Sequence, residues 1–230
     1  MELFSRRITS RQTRKESEQD FAGDLVTVSN PSSDASEAYR TLRTSLLYAF
    51  VDEPLRIVLV TSPGRREGKS TTCANLGVVL AQAAKSTLIL DCNFREPAIH
   101  KLFELPNVRG IRDVLVGECS LQEVYQEPVK DLKVVSAGYT PPDPVGVLST
   151  QRFSELLADA RREFDYVLMD SPAVGLVSDP LILATKADGV LLVLDAQHTR
   201  KTYIRESVHK LEAVGATVLG TVVNNVEVSG

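Results

Sequence analysis

Three short segments carry residues able to hold phosphate and a divalent metal. The first is Thr61-Ser62-Pro63-Gly64-Arg65-Arg66-Glu67-Gly68-Lys69-Ser70-Thr71. An apolar run, Ile57-Val58-Leu59-Val60, ends at Thr61. A turn follows, and Lys69-Ser70-Thr71 then opens an amphipathic stretch that reads as a helix. Strand, turn, Gly-Lys-Ser and helix is the order a phosphate-binding P-loop requires. The unpaired N–H groups of a helix start, with the helix dipole behind them, attract an anion. Lys69 is expected to bridge the β- and γ-phosphates of ATP, and the Ser70 hydroxyl to ligate Mg²⁺. The nucleotide-binding set expected from this turn is Gly64, Arg65, Arg66, Glu67, Gly68, Lys69, Ser70 and Thr71. The turn is unusual. Pro63 stands five positions before Gly68, where the common pattern has glycine.

Two carboxylates end later apolar runs. Asp91 follows Leu88-Ile89-Leu90, and Asp170 follows Tyr166-Val167-Leu168-Met169. An acidic residue at a strand end beside a P-loop is a usual way to hold Mg²⁺, directly or through water. A lone strand-end Asp often only caps a loop or helix. Two of them in one P-loop sheet point to a metal and phosphate site. An acid after the second strand also binds ribose in dinucleotide folds, but that reading needs Gly-x-Gly-x-x-Gly, and Gly64 and Gly68 lack that spacing.

These residues need a scaffold. Strands are expected over 56–61, 87–91, 132–136, 166–170, 189–195 and 217–223. Longer helices are expected over 70–84, 150–164 and 199–214, and shorter ones over 98–103, 110–116 and 180–186. Continuous runs such as Val190-Leu191-Leu192-Val193-Leu194 suit strands buried on both faces. The expected fold is therefore α/β: a three-layer P-loop nucleotide-binding fold with a mostly parallel central sheet flanked by helices. Ligands in such a sheet sit beyond the carboxyl ends of the strands.

Ahead of this region a helix is expected over 34–50, capped by Asp34 with Glu37 reaching back, and stopped by Pro54. Residues 1–33 read as a flexible basic tail, with five basic and no acidic residues between Ser5 and Lys15. Contact with anionic lipid is the sharper reading of that charge; a solvated tail is the plainer one. The remainder, 34–230, reads as one ATP-binding domain.

The 230 residues carry a net charge of −4, which does not suggest a nucleic-acid binder. The three cysteines, Cys73, Cys92 and Cys119, fit no zinc spacing and read as buried reduced thiols of a cytoplasmic protein. No apolar run reaches the roughly 18 residues needed to span a bilayer.

Taken together, the segments resemble the bacterial tyrosine kinases (BY-kinases) of capsule and exopolysaccharide synthesis. The resemblance runs from about Asp34 to Asn224. It covers Glu37-Ala38-Tyr39-Arg40-Thr41-Leu42-Arg43, the P-loop, Asp91 through Pro97 (similar to the family's Walker A′ segment), Asp165 through Pro172 (similar to Walker B), and Val218-Leu219-Gly220-Thr221-Val222-Val223-Asn224. It implies that Asp91, Lys69 and Asp170 are catalytic, with Asp91 the base toward a tyrosine hydroxyl. Ser70, Asp91 and Asp170 would hold Mg²⁺, and Asn224 would face the adenine of ATP. Glu37, Arg40 and Arg43 would join subunits into a homo-oligomeric ring; they share an arc of roughly 120° on one helix. A transmembrane polysaccharide co-polymerase would act as a separate activator and recruit the chain to the inner face of the plasma membrane, making its membrane contact indirect.

Three departures stand out. Asn93 replaces the family's second Walker A′ acid and can carry no negative charge. Arg65-Arg66 stand where the family usually has Pro-Gly. The family's terminal tyrosine cluster has no counterpart after Tyr203. These leave an alternative open: a kinase-impaired ATP-binding scaffold or partitioning-type ATPase.

Overall fold

The structure, a computed structural model, describes residues 6–7, 25–48 and 55–226. Most of the expected tail, the helix extension to Phe50, its stop at Pro54 and the end of the chain from Glu227 lie outside the described residues.

Apolar runs bounded by polar turns form the inner strands: β2 (Ile57–Thr61), β3 (Thr87–Asp91), β5 (Leu132–Val135), β6 (Tyr166–Asp170), β7 (Gly189–Asp195) and β8 (Val218–Asn224). The first five match the expected ranges to within a residue at each end. β8 runs one residue further and ends on Asn224 itself. Two short strands complete the sheet, β1 (Arg6–Arg7) and β4 (Gln126–Val129). The order is β1-β8-β7-β2-β6-β3-β5-β4, parallel throughout except for β4 against β5. β4 had no sequence signal because it is polar and contains Pro128, which is tolerated on an edge strand that lacks one partner.

Helices cover both faces. α1 (Val26–Ser29), α2 (Asp34–Tyr48), α3 (Lys69–Gln82) and α4 (Ile99–Leu102) enclose a core with Val58, Val60, Ile89, Leu168, Leu191 and Val193. α5 (Ile111–Val116), α6 (Pro144–Leu148), α7 (Gln151–Glu163), α8 (Asp179–Ala184) and α9 (Lys201–Ala213) enclose another with Ile57, Leu59, Leu88, Leu90, Val190 and Leu192. Alternate residues of each central strand thus serve opposite cores, which explains the unbroken apolar runs.

Two expectations need correction. Residues 25–33 do not belong to a solvated tail. Thr27 is fully buried, and its amide and hydroxyl both donate to Asn75 Oδ1 of α3, at 3.1 and 2.8 Å. The start of α2 also differs. Ser33 Oγ accepts from the Ser36 amide, so Ser33 is the cap and Asp34 lies inside the first turn.

Asp188, just before β7, pins the strand entrances. Its Oδ2 accepts the amides of Arg56 and Ile57, each at 2.8 Å, while Oδ1 pairs with Arg161. Burial alone would raise this carboxyl, but the Arg161 hydrogen bond and the two amides outweigh it and hold it below its usual range. A lowered folded-state value stabilises the protein above the unfolded value of about 3.9, and that contribution is lost as pH falls through the folded value. Asp188→Ala should therefore cost about 2 kcal/mol at neutral pH, since it strands two amides and a guanidinium. Urea unfolding at pH 7 and pH 3 checks this: the gap between variant and parent should shrink at the acid end.

Candidate functional site

The carboxyl ends of β2, β3, β6, β7 and β8 converge, and the chemistry-bearing side chains are there. The turn after β2 is built from its own polar groups. The Gly64 amide donates to Glu67 Oε2 at 2.8 Å, and the Ser62 hydroxyl donates to the Gly64 carbonyl at 2.6 Å. Arg66 (φ 58°) and Gly68 (φ 86°) take left-handed backbone. Gly68 cannot be replaced without strain: a Cβ there would lie 2.2 Å from Asn224 Nδ2, in a conformation side chains disfavour. α3 then begins at Lys69 with no side-chain cap, which leaves first-turn amides for an anion. Gly175 serves the same turn from outside, because a Cβ there would meet the Pro63 carbonyl at 2.1 Å.

β3 and β6 are parallel neighbours, and their register sets Asp91 beside Asp170. Both are fully buried. Burial first, and the neighbouring Asp170 second, push Asp91 well above the usual carboxylate range. Burial also raises Asp170, to about 6, although Lys69 and the Ser70 hydroxyl pull it down. Ser70 Oγ donates to Asp170 Oδ2 at 2.6 Å. Asp170 Oδ1 is buried with no hydrogen-bond partner. Two adjacent buried carboxyls, a hydroxyl and an orphaned acceptor form an oxygen donor set that fits Mg²⁺, which keeps several waters and needs few protein ligands. No group of three or more His, Cys, Asp or Glu side chains suited to a metal occurs among the described residues.

Asp91 is also structural. Its Oδ1 accepts the Asn93 amide at 3.1 Å and its Oδ2 the Ile99 amide at 3.2 Å, so it anchors both the following turn and the start of α4. Asn93 is 2% exposed and closes that turn on itself. Its Nδ2 donates to the Glu96 carbonyl and its Oδ1 accepts the Glu96 amide. Arg95 grips Asp179 at the start of α8 through two parallel bonds of 3.1 and 3.2 Å. Arg65 turns toward Glu96 (3.4 Å) across an exposed gap, and a pair so exposed contributes little stability.

Asn224 lies against the P-loop. Its Nδ2 donates to the Glu67 carbonyl at 2.9 Å and, more weakly, to Thr72 Oγ1 at 3.4 Å. In this state the amide group braces the turn.

Sequence reasoning named Glu67 but missed the bond it makes to Thr199, and it missed Asp195. Glu67 is buried, and Oε1 accepts the Thr199 hydroxyl, which ties the P-loop to the β7–α9 connection. Asp195 is a third strand-end carboxylate. It accepts the Gln197 amide at 2.8 Å, the His198 amide at 3.1 Å and Asn225 Nδ2 at 2.8 Å. The signal that found Asp91 and Asp170, an acid ending an apolar strand, applies to Asp195 equally.

The α2 residues lie apart from this end. Within one chain Glu37 pairs with Arg40 at 3.0 Å, and Arg40 also donates to the Pro31 carbonyl at 2.6 Å. Arg43 turns inward, donating to the Val79 carbonyl of α3 at 3.2 Å.

Comparison with known proteins agrees with this geometry. The family described as an AAA domain matches residues 64–221. A tyrosine-protein kinase of Bacillus subtilis, YwqD, is 36% identical over 207 residues, spanning 90% of this chain and 87% of its own. The kinase domain of the Escherichia coli tyrosine kinase ETK superposes with a TM-score of 0.86 at 29% identity, covering 96% of this chain and 86% of that one. The septum site-determining protein MinD of Pyrococcus horikoshii, solved with Mg-ADP, shares the fold at a TM-score of 0.63 and 22% identity, over 74% of this chain and 70% of its own.

Proposed function

The chain belongs to the bacterial tyrosine-kinase family, and on that premise we propose that it is an ATP-dependent protein-tyrosine kinase serving capsule or exopolysaccharide synthesis. The observation that carries this reading is the Asp91–Asp170 pair set beside Lys69, Ser70 and the amino end of α3. Phosphoryl transfer depends mainly on positioning and charge neutralisation, and this arrangement offers both. Lys69 and the P-loop amides hold the phosphates, with the remaining turn residues Gly64 to Thr71 shaping the seat. Ser70, Asp91 and Asp170 hold Mg²⁺, which neutralises phosphate charge when bound. Asp91 takes the proton of the incoming tyrosine hydroxyl. Asn224, next to the P-loop, meets the adenine.

The wider setting follows the family. Glu37, Arg40 and Arg43 contribute to a ring of subunits, and a separate transmembrane activator holds the chain at the inner face of the plasma membrane. No helix among the described residues is long and apolar enough to cross a membrane.

One observation favours a second reading, an ATP-driven scaffold or partitioning-type ATPase. Asn93 spends its amide on its own turn and adds no charge to the site. The test separates the two readings. Purified protein is incubated with Mg·ATP and a Glu-Tyr copolymer, and both phosphotyrosine and ADP are measured. The kinase reading expects phosphotyrosine that disappears on chelation. ADP release without phosphotyrosine would reject it in favour of the ATPase.

A further inference from the structure

Tyrosines differ sharply in their availability. Tyr39 and Tyr166 are buried. Tyr125 is half-buried, its hydroxyl donating to Glu163 at 3.1 Å and its ring edge-on to Phe164. Tyr48, Tyr139 and Tyr203 are exposed, at 72%, 65% and 50%. Tyr48 and Tyr203 lie on the helices α2 and α9. Only Tyr139 of these three lies on irregular backbone, in the connection from β5 to α6.

That connection is held on both sides of the tyrosine. Asn107 clamps Gly138, accepting its amide at 2.8 Å and donating to its carbonyl at 3.3 Å. The Thr140 hydroxyl donates to the Phe94 carbonyl at 2.9 Å, within the segment that follows Asp91. Gly110 packs so closely that a Cβ would meet the Ser136 carbonyl at 2.0 Å. Pro141 and Pro142 follow, further limiting the backbone. The ring is thus presented outward at the catalytic end of the sheet from a fixed base.

We propose that Tyr139 is a phosphoacceptor, modified by a second copy of this chain. The proposal rests on the kinase reading above. Its hydroxyl oxygen attacks the γ-phosphorus of ATP bound to the other copy. The bond from that phosphorus to the β–γ bridging oxygen breaks, and ADP leaves with the electron pair. The phenolic proton passes to the other copy's carboxylate at the transfer site.

The acceptor must enter a concave site and approach phosphate closely. A helical tyrosine brings its neighbours three and four positions away with it, whereas a loop residue can enter alone. Transfer within one copy is opposed by sheet order. β5 lies three strands from β2, across β3 and β6, which at about 4.8 Å per spacing separates its end from the P-loop strand by roughly 14 Å. A tyrosine side chain covers less than half that span, and the Thr140–Phe94 bond holds the connection that carries Tyr139 beside the segment after β3, two strands from β2.

The test mixes two full-length proteins with Mg·ATP and the Glu-Tyr copolymer. One carries Lys69→Met and can only receive phosphate; the other carries Tyr139→Phe and can transfer phosphate but not receive it at position 139. Phosphopeptides are then read by mass spectrometry. The expected result is phosphate on Tyr139 of the Lys69→Met chain, with loss of most chain phosphotyrosine when every copy carries Tyr139→Phe. Copolymer phosphorylation with phosphate on Tyr48, Tyr203 or another tyrosine, and none on Tyr139, overturns the proposal and leaves the kinase reading standing. Phosphotyrosine on neither chain nor copolymer overturns both.

Discussion

Lys69→Met is expected to reduce phosphoryl transfer by about 10³-fold or more while leaving the chain folded. Lys69 is 8% exposed at the first position of α3, and methionine fills the same stem volume without the ammonium. The loss falls on the step where negative charge must be held, so turnover should suffer more than binding, because the loop and helix amides remain. The ammonium also acts in the absence of nucleotide: it lowers Asp170 against the effect of burial. Removing it leaves two buried, adjacent carboxyls without that cation, so the nucleotide-free protein should also melt lower. Single-turnover ATP consumption and a thermal melt on the same sample check both effects. A variant that keeps near-parental turnover would remove Lys69 from the mechanism.

Asp170→Asn should move those two properties in opposite directions. Catalysis is expected to fall by about 10²-fold or more, since a neutral amide is a poor Mg²⁺ ligand and, with the metal held less well, the phosphate charge is left unneutralised. The nucleotide-free protein should gain about 1 kcal/mol, or about 2–4 °C in Tm, because a buried carboxyl that burial disfavours when charged is replaced by a neutral amide. The sign follows from the raised pKa values. A carboxyl whose folded-state pKa exceeds its unfolded value of about 3.9 stabilises fully below that value and loses the contribution as pH rises through the folded one, about 6 for Asp170. The parent should thus melt higher near pH 5 than near pH 7 without metal, and Mg²⁺ should remove part of that difference. Asp170→Asn should flatten both dependences. Melts at the two pH values, with and without Mg²⁺, test this. A variant that melts lower at pH 7 without metal would mean that the Ser70 bond, not the charge, dominates at this position.

The two variants separate roles that the P-loop motif alone leaves merged. On these expectations Lys69 would stabilise the empty site and the transferring phosphate alike. Asp170 would weaken the empty site in exchange for cation binding. Trading apo stability for ligand affinity is common at functional sites, where local rules of burial are broken for a purpose.

Much of this was legible in the chain. Strand-length apolar runs and a Gly-Lys-Ser turn are local signals, because their residues are neighbours in sequence. From them follow the α/β sheet, its parallel character, the P-loop and the acids Asp91 and Asp170 at strand ends. Local reading erred where an element was too short, or too polar, to show a period. β4 and α6 have four and five residues, each with a proline, and residues 25–33 look like a tail until Thr27 meets Asn75.

Tertiary structure decided everything that joins distant segments. Ser70 and Asp170 are 100 residues apart, and Glu67 and Thr199 are 132 apart, yet both pairs are hydrogen-bonded. Strand order makes these contacts, by setting β6 between β2 and β3 and bringing the end of β7 beside the P-loop strand. No local pattern encodes that order. It reflects which arrangement buries both faces of every central strand at once. The residue types at the strand ends came from the sequence; the opposition of Asp91 and Asp170, which turns a phosphate-binding turn into a site suited to Mg·ATP, came from sheet register.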